Sequence, residues 1–158
     1  MTFDLSAASS QNVTVNYVVT GTATGSGSGT DYTLADGTLT INAGATSGTI
    51  TIATIVNDSL DEVNETVIVT LSSPSNASLG TDRVHTYTIS DNDNTPTIDF
   101  NTTSSSGAES ISSKVITVDL SAASSQNVTV NYVVTGTATG SGPGTYYTLA
   151  DGTLTINA

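Results

Sequence analysis

Short runs of alternating apolar and polar residues recur along the whole chain. In one of them, Val13, Val15 and Tyr17 alternate with Thr14 and Asn16. Alternation with a period of two predicts a β-strand that buries one face. Similar runs occupy residues 37–41, 49–56, 65–71, 84–90, 97–100 and 115–120, with Gly-, Ser-, Asn- and Asp-rich segments between them. No run has the 3.6-residue period of a helix, so we expect an all-β chain built as an antiparallel sandwich or barrel.

An internal repeat predicts the domain organisation. Residues 1–43 return as residues 116–158, an offset of 115 residues. Only four positions differ, namely Met1 and Ile116, Phe3 and Val118, Ser28 and Pro143, and Asp31 and Tyr146. A period of this size is close to one whole domain. We therefore expect a tandem array cut out of phase: a domain at 1–93 without its first strand, a linker at 94–96, and the first half of the next domain at 97–158.

The charge balance excludes several kinds of partner. The formal net charge is -12, and Arg83 and Lys114 are the only basic residues. Binding of nucleic acid, or of an anionic membrane surface, requires clustered Lys and Arg, so neither is expected. No apolar run approaches the roughly 20 residues of a membrane span. The absence of Cys excludes a disulfide framework and a thiolate metal site.

The carboxylates are concentrated in a few predicted loops. Residues 58–65 contain four of them, two more follow the predicted strand 84–90, and Asp31 precedes Tyr32. If these loops converge at one end of a sandwich, about six carboxylates repel one another unless a cation lies between them. Ca²⁺ suits a flexible cluster of many oxygen ligands, and Mg²⁺, with its stricter octahedral geometry, ranks second. The alternative is that the loops are simply the solvated surface of an acidic protein.

Several motifs follow one another in a specific order and together span almost the whole chain, namely VNYVVTGTAT, GTDYTL, GTLTI, IVNDSLDEVNETVIVTL and TYTISDND. Their order resembles that of the Calx-beta domain. The resemblance implies an immunoglobulin-like Greek-key β-sandwich that binds Ca²⁺ at one end in many members. Transferred position by position, the implied ligands are Asp31, Asn57, Asp58, Glu62, Glu65, Asp91 and Asp93, the backbone carbonyl of Leu60 and, in the second copy, Glu109 of GAES. Tyr146 replaces Asp31 in the second copy, so weaker binding is expected there.

Catalysis has little support in the sequence. A hydrolase needs a nucleophile, a base and an orienting group in contact, and the only histidine, His85, lies in the middle of a predicted strand. We therefore predict that the chain is not an enzyme.

Two functions from different classes stay open. The first is a structural, calcium-binding module of a long extracellular or cell-surface repeat protein, which acts as a spacer, fibre or adhesin stalk. Its partners would be neighbouring repeats and other copies in a fibre. The second is a calcium-sensing regulatory domain attached to a transporter or another effector. Near-identity of adjacent repeats favours the first.

Overall fold

The computed structural model describes residues 1–27, 29–140 and 142–158, so the sequence difference at Ser28 lies outside the described residues. Within these ranges the regular structure consists of ten strands: β1 (Thr2–Asp4), β2 (Val13–Gly21), β3 (Gly37–Ile41), β4 (Ser47–Thr49), β5 (Glu65–Ser75), β6 (Val84–Ile89), β7 (Ile98–Phe100), β8 (Val118–Leu120), β9 (Val128–Tyr132) and β10 (Gly152–Ile156). Every strand pair is antiparallel. In the part of the chain that is described, no helix is long and apolar enough to cross a membrane.

The chain divides into two compact units. Unit 1 consists of Met1–Asp58 and Val63–Asp91, and unit 2 consists of Ser59–Glu62 and Asn92–Ala158. The segment Ser59–Glu62 thus belongs to the first copy by sequence and to unit 2 by its contacts. The boundaries at 93 and 97, with the linker between them, stay predictions.

Unit 1 is built from two antiparallel layers. Its larger sheet has the strand order β3-β2-β5-β6, and β1 pairs with β4 in the smaller layer. After β3 and β4 the chain returns in β5 to lie beside β2, which is a Greek-key connection. Gly48 of β4 lies over Leu39 and Ile41 of β3, where an added Cβ would be 2.9 Å from the Ile41 side chain. The predicted all-β, antiparallel sandwich is confirmed.

The core of unit 1 lies between these layers. It contains Val13, Val15, Leu39, Ile41, Ile50 and Val69. Along β2 these valines alternate with polar residues, so the period-two pattern gives one face to the core and one to water. Val67 and Val69 of β5 are the largest fully buried side chains among the described residues. The central strands β2 and β5 therefore anchor the unit.

Unit 2 contains two ribbons of two strands. The hairpin β9–β10 pairs Val128 with Ile156 and Tyr132 with Gly152. The ribbon β7–β8 pairs Ile98 with Leu120. Residues 98–100 are thus paired inside unit 2, not in the place of a missing first strand of unit 1.

Three predicted strands have different boundaries in the structure. The strand expected at 49–56 is only Ser47–Thr49, and beyond it Ala53 forms a single bridge with Thr33. Ile50 is nevertheless buried in the core. The apolar pattern of this segment therefore reflects burial, which does not require pairing with a neighbouring strand. Strand β5 continues four residues past Leu71, through a bulge that contains Ser73 with φ 47°. Strand β8 begins at Val118 rather than at residue 115, where Val115 is exposed.

Candidate metal-binding end of unit 1

The side-chain carboxylate of Asp31 closes the loop in which Asp31 lies. Oδ2 of Asp31 accepts a hydrogen bond from the Thr24 backbone N–H at 2.6 Å, and the Asp31 N–H donates to the Thr24 carbonyl at 2.9 Å. The Asp31 carbonyl in turn accepts from the Val56 N–H at 2.9 Å. Since Val56 directly precedes Asn57 and Asp58, this bond brings Asp31 close to two further predicted ligands.

The same loop is joined to the start of β5. The N–H groups of Thr22 and Ala23 donate to the Thr66 carbonyl at 3.0 and 3.1 Å. The Thr66 N–H donates back to the Thr22 hydroxyl at 2.9 Å. Gly21 permits this approach, because a Cβ at that position would lie 2.0 Å from the Thr66 carbonyl oxygen. Glu65, the neighbour of Thr66, is therefore held at the same end of unit 1.

A third contact adds Asp91 to this end. Strand pairing places Glu65 opposite Ile89 at the end of β6. Just beyond, the Asp91 N–H donates to Oδ1 of Asn64 at 2.9 Å. Asn64 is thus a positioning residue that the sequence alone did not single out, since one asparagine in a polar loop has no distinctive signal.

We call this region the acidic end of unit 1, defined by Asp31, Asn57, Asp58, Glu65 and Asp91. The backbone contacts bring together the loops of these residues, as the convergence hypothesis required. Arg83 lies before the other end of β6, about 20 Å away at 3.3 Å per strand residue. Among the described residues, however, no three His, Cys, Asp or Glu side chains form a group that could hold a metal ion. The loops converge, but the carboxylates do not form a closed ligand set.

The other predicted ligands belong to unit 2. Leu60, Glu62 and Asp93 are half-buried, and Glu109 is exposed in a turn. Their assignment as ligands stays a prediction.

Asp61 has a different environment from the other acidic residues of its segment. It is only 7% exposed, and its Oδ2 accepts a hydrogen bond from the Ser124 hydroxyl at 2.7 Å. Asp61 is one of the four carboxylates of residues 58–65, but it is not among the ligands that the family resemblance implies. Nothing in a single sequence could indicate this partner, which lies 63 residues away.

Comparison with known families decides the relationship. The model of the Calx-beta domain matches residues 4–93 and again residues 91–158. The chain belongs to the Calx-beta family. The two matches cover nearly all of it, so the resemblance inferred from the motifs is confirmed, and so is the tandem arrangement of Calx-beta repeats.

Two solved structures are among those that the chain matches. They are the calcium binding domain CBD12 of CALX1.1 and CBD12 from CALX1.2, with TM-scores of 0.48 and 0.47 and 21% sequence identity in each case. Each alignment covers 99% of the Calx-beta chain described here and 63% of the other chain. This chain therefore spans less than two thirds of either structure. No curated protein sequence matches it.

Proposed function

We propose that the chain is a calcium-binding structural repeat module of a long extracellular or cell-surface protein. The observation that carries the proposal is the hydrogen-bonded convergence of three loops at the acidic end of unit 1. The bonds are from Val56 to Asp31, from Ala23 to Thr66, and from Asp91 to Asn64. Carboxylates on converging loops repel one another, and a cation bound between them removes this repulsion.

The donor chemistry of the acidic end fits Ca²⁺. Asp31, Asp58, Glu65 and Asp91 provide carboxylate oxygens, and Asn57 provides an amide oxygen. Such a set of oxygen donors is what hard cations prefer, and Ca²⁺ tolerates variable geometry better than Mg²⁺. Repulsion between like charges keeps carboxylates apart when no cation lies between them. We infer that Ca²⁺ draws side chains that now lie on converging loops into one ligand set.

Calorimetry and melting of the intact chain test this proposal. Ca²⁺ is titrated into chelator-treated protein, and the unfolding of unit 1 is followed with EGTA and with millimolar Ca²⁺. A ligand that binds only the folded state adds about 2.7 kcal/mol at a hundredfold excess over Kd. We expect the midpoint of unit 1 to rise with Ca²⁺ and to rise less with Mg²⁺ at the same concentration.

A matched pair of variants gives the control. Asp91→Asn removes one negative charge at the acidic end, and Asp82→Asn removes one from an exposed loop before β6. We expect the first variant to weaken Ca²⁺ binding and the second to leave it unchanged. Equal effects of the two, or a midpoint that does not respond to Ca²⁺ at all, would contradict the proposal.

The structural role rests on the repeat itself. Neighbouring copies that differ at four of 43 positions provide nearly the same surface each time, which suits a spacer better than a set of specialised binding sites. The proposed partners are neighbouring repeats and other copies in a fibre, and no catalytic role is proposed. The regulatory alternative, a calcium sensor attached to a transporter or another effector, requires such an effector region.

The sequence of the full-length gene separates these two functions. Many tandem copies with a secretion signal support the spacer. One or two copies next to a transporter support the sensor.

A further inference from the structure

A short turn in unit 2 binds the segment Ser59–Glu62 through several hydrogen bonds. The Ser124 hydroxyl donates to Oδ2 of Asp61 at 2.7 Å. The Ser125 N–H donates to the Asp61 carbonyl at 3.0 Å, and the Ser125 hydroxyl lies 3.3 Å from the same oxygen. Asp61 and Ser124 also form a parallel β-bridge. The turn thus offers two hydroxyls and an N–H, and the segment offers a carboxylate and a carbonyl oxygen.

These bonds lie in a protected environment. Asp61 is 7% exposed and Ser124 is 9% exposed, and they are the only buried polar or charged residues in the described part of the chain. Buried polar groups are costly unless they are hydrogen-bonded, and a bond to a charged group contributes more than a neutral one. The hydrogen bonds of Asp61 with Ser124 and Ser125 are therefore a specific contact and not an incidental one at the surface. We call this set of bonds the lock.

The same turn exists in unit 1 with the same sequence and geometry. Residues 5–13 and 120–128 both read LSAASSQNV. The hydroxyl of Ser9 accepts from the Gln11 N–H at 3.1 Å, just as that of Ser124 accepts from Gln126 at 3.2 Å. Asn12, like Asn127, then accepts from the alanine N–H after the next strand, at 2.9 and 3.0 Å.

The turn in unit 1 has the same local bond as the turn that Asp61 contacts in unit 2. The partner of Ser124 lies 63 residues before it, and the corresponding partner of Ser9 would lie 63 residues before Ser9, ahead of Met1. Ser9 is half-buried, and Ser10 is exposed. Because the bonds from Gln11 and Ala43 in unit 1 match those from Gln126 and Ala158 in unit 2, the turn at Ser9 has the shape that binds Asp61 in unit 2 and is preorganised for such a partner.

We propose that the turn Ser9–Gln11 is the docking site for the segment of a preceding repeat that corresponds to Ser59–Glu62. The equivalent of Asp61 in that repeat binds the Ser9 hydroxyl and the Ser10 N–H, as Asp61 binds Ser124 and Ser125. The lock joins consecutive repeats by hydrogen bonds. Asp61 is neither part of the acidic end nor an implied ligand, but its neighbours Leu60 and Glu62 are implied ligands, so the test is carried out without Ca²⁺.

An extended chain tests the proposal. Residues 1–115 are joined in front of the intact 158-residue chain, which continues the period in phase and gives Ser9 a preceding repeat. Amide exchange at Ser10 and Ser125 is measured by NMR in EGTA, in the original and in the extended chain. In the original chain, we expect Ser10 to exchange faster than Ser125. In the extended chain, Ser10 of the original repeat should slow about tenfold, because its N–H then donates to the backbone carbonyl of a docked segment.

Variants in the extended chain identify the residue responsible. Asp61→Ala in the added repeat should restore fast exchange at Ser10 and leave Ser125 unchanged. The same substitution in the original repeat should do the reverse, and Asp82→Ala should alter neither. Protection of Val15 and Val130 reports that each hairpin is still folded. If Ser10 exchanges equally fast in the original and extended chains while both hairpins stay protected, the proposal is wrong.

Discussion

Residues 1–43 and 116–158 are nearly one sequence placed twice in the molecule, and they form the same hairpin both times. Val15 pairs with Leu39 in the first copy, and Val130 pairs with Leu154 in the second. The polar clamp of the hairpin is also repeated. Asp36 Oδ1 accepts from the Val19 N–H at 2.7 Å, and Asp151 Oδ1 accepts from Val134 at the same distance. Register and local hydrogen bonds are therefore properties of the hairpin sequence itself.

Burial, in contrast, differs between the two copies. Leu39 is 8% exposed and Leu154 is 36% exposed, although their neighbours in sequence are identical. In unit 1, β2 pairs with β5 as well as with β3. Among the described residues β9 pairs with β10 alone, because the positions that correspond to β5 lie 115 residues later, beyond residue 158. Strand β2 also continues to Gly21 along β5, and β9 ends at Tyr132. The hairpin forms from residues that are close in sequence. The apolar side chains that bury it come from strands far away in the sequence.

The largest expected effect comes from truncating the same leucine in each copy. Leu39→Ala opens a cavity in a closed core and should lower the local free energy of unfolding by about 3 kcal/mol. Leu154→Ala removes a partly exposed side chain and should cost about 1 kcal/mol. Amide exchange of Val15 and Val130 measures the two losses separately, because it reports local opening in each unit. Equal losses would show that both hairpins are buried alike in solution.

A smaller effect is expected from exchanging Asp31, which among the residues of the acidic end covered by the repeat is the one that differs in the second copy. The Tyr146 N–H keeps the bond to the Thr139 carbonyl at 2.9 Å, but its side chain is 72% exposed and cannot replace a carboxylate. Asp31→Tyr loses the bond to the Thr24 N–H, so unit 1 should lose about 1 kcal/mol. It also loses a charged oxygen, so Ca²⁺ affinity should fall on the order of tenfold.

The reciprocal substitution sharpens this comparison. Tyr146→Asp should protect the Thr139 N–H from exchange, as Asp31 protects that of Thr24. Calorimetry of both variants against the parent chain measures the change in affinity. An unaltered Ca²⁺ affinity in Asp31→Tyr would remove Asp31 from the ligand set and leave it a purely structural role in the loop.

The smallest expected difference concerns the polar clamp. Asp36→Ala and Asp151→Ala each remove the acceptor of one backbone N–H, and each should cost about 1 kcal/mol locally. Because the clamp is formed within the hairpin, the two losses should agree within error. Exchange rates of the Val19 and Val134 amides provide the measurement. A much larger loss in one copy would mean that the clamp depends on its tertiary surroundings.

The candidate site was predictable in part. Asp31, Asp58, Glu65 and Asp91 were expected at one end because loops of a sandwich meet there, and backbone bonds in unit 1 do join their loops. The positioning role of Asn64 was not predictable, since it depends on Oδ1 meeting the N–H of a residue 27 positions later. The roles of Leu60, Glu62, Asp93 and Glu109 stay predictions.

The sequence by itself determined the strands of the hairpin, their register, the turn at Ser9 and the 115-residue repeat. These follow from alternation, turn residues and bonds between groups close in the chain, and they recur wherever the sequence recurs. Only the tertiary structure decided that Val69 of β5 packs in one core with Leu39, and that Asp61 hydrogen-bonds to Ser124 instead of joining the other carboxylates. Both outcomes depend on groups that are distant in sequence. Their approach is governed by how separate strands and loops pack together, which no local pattern encodes.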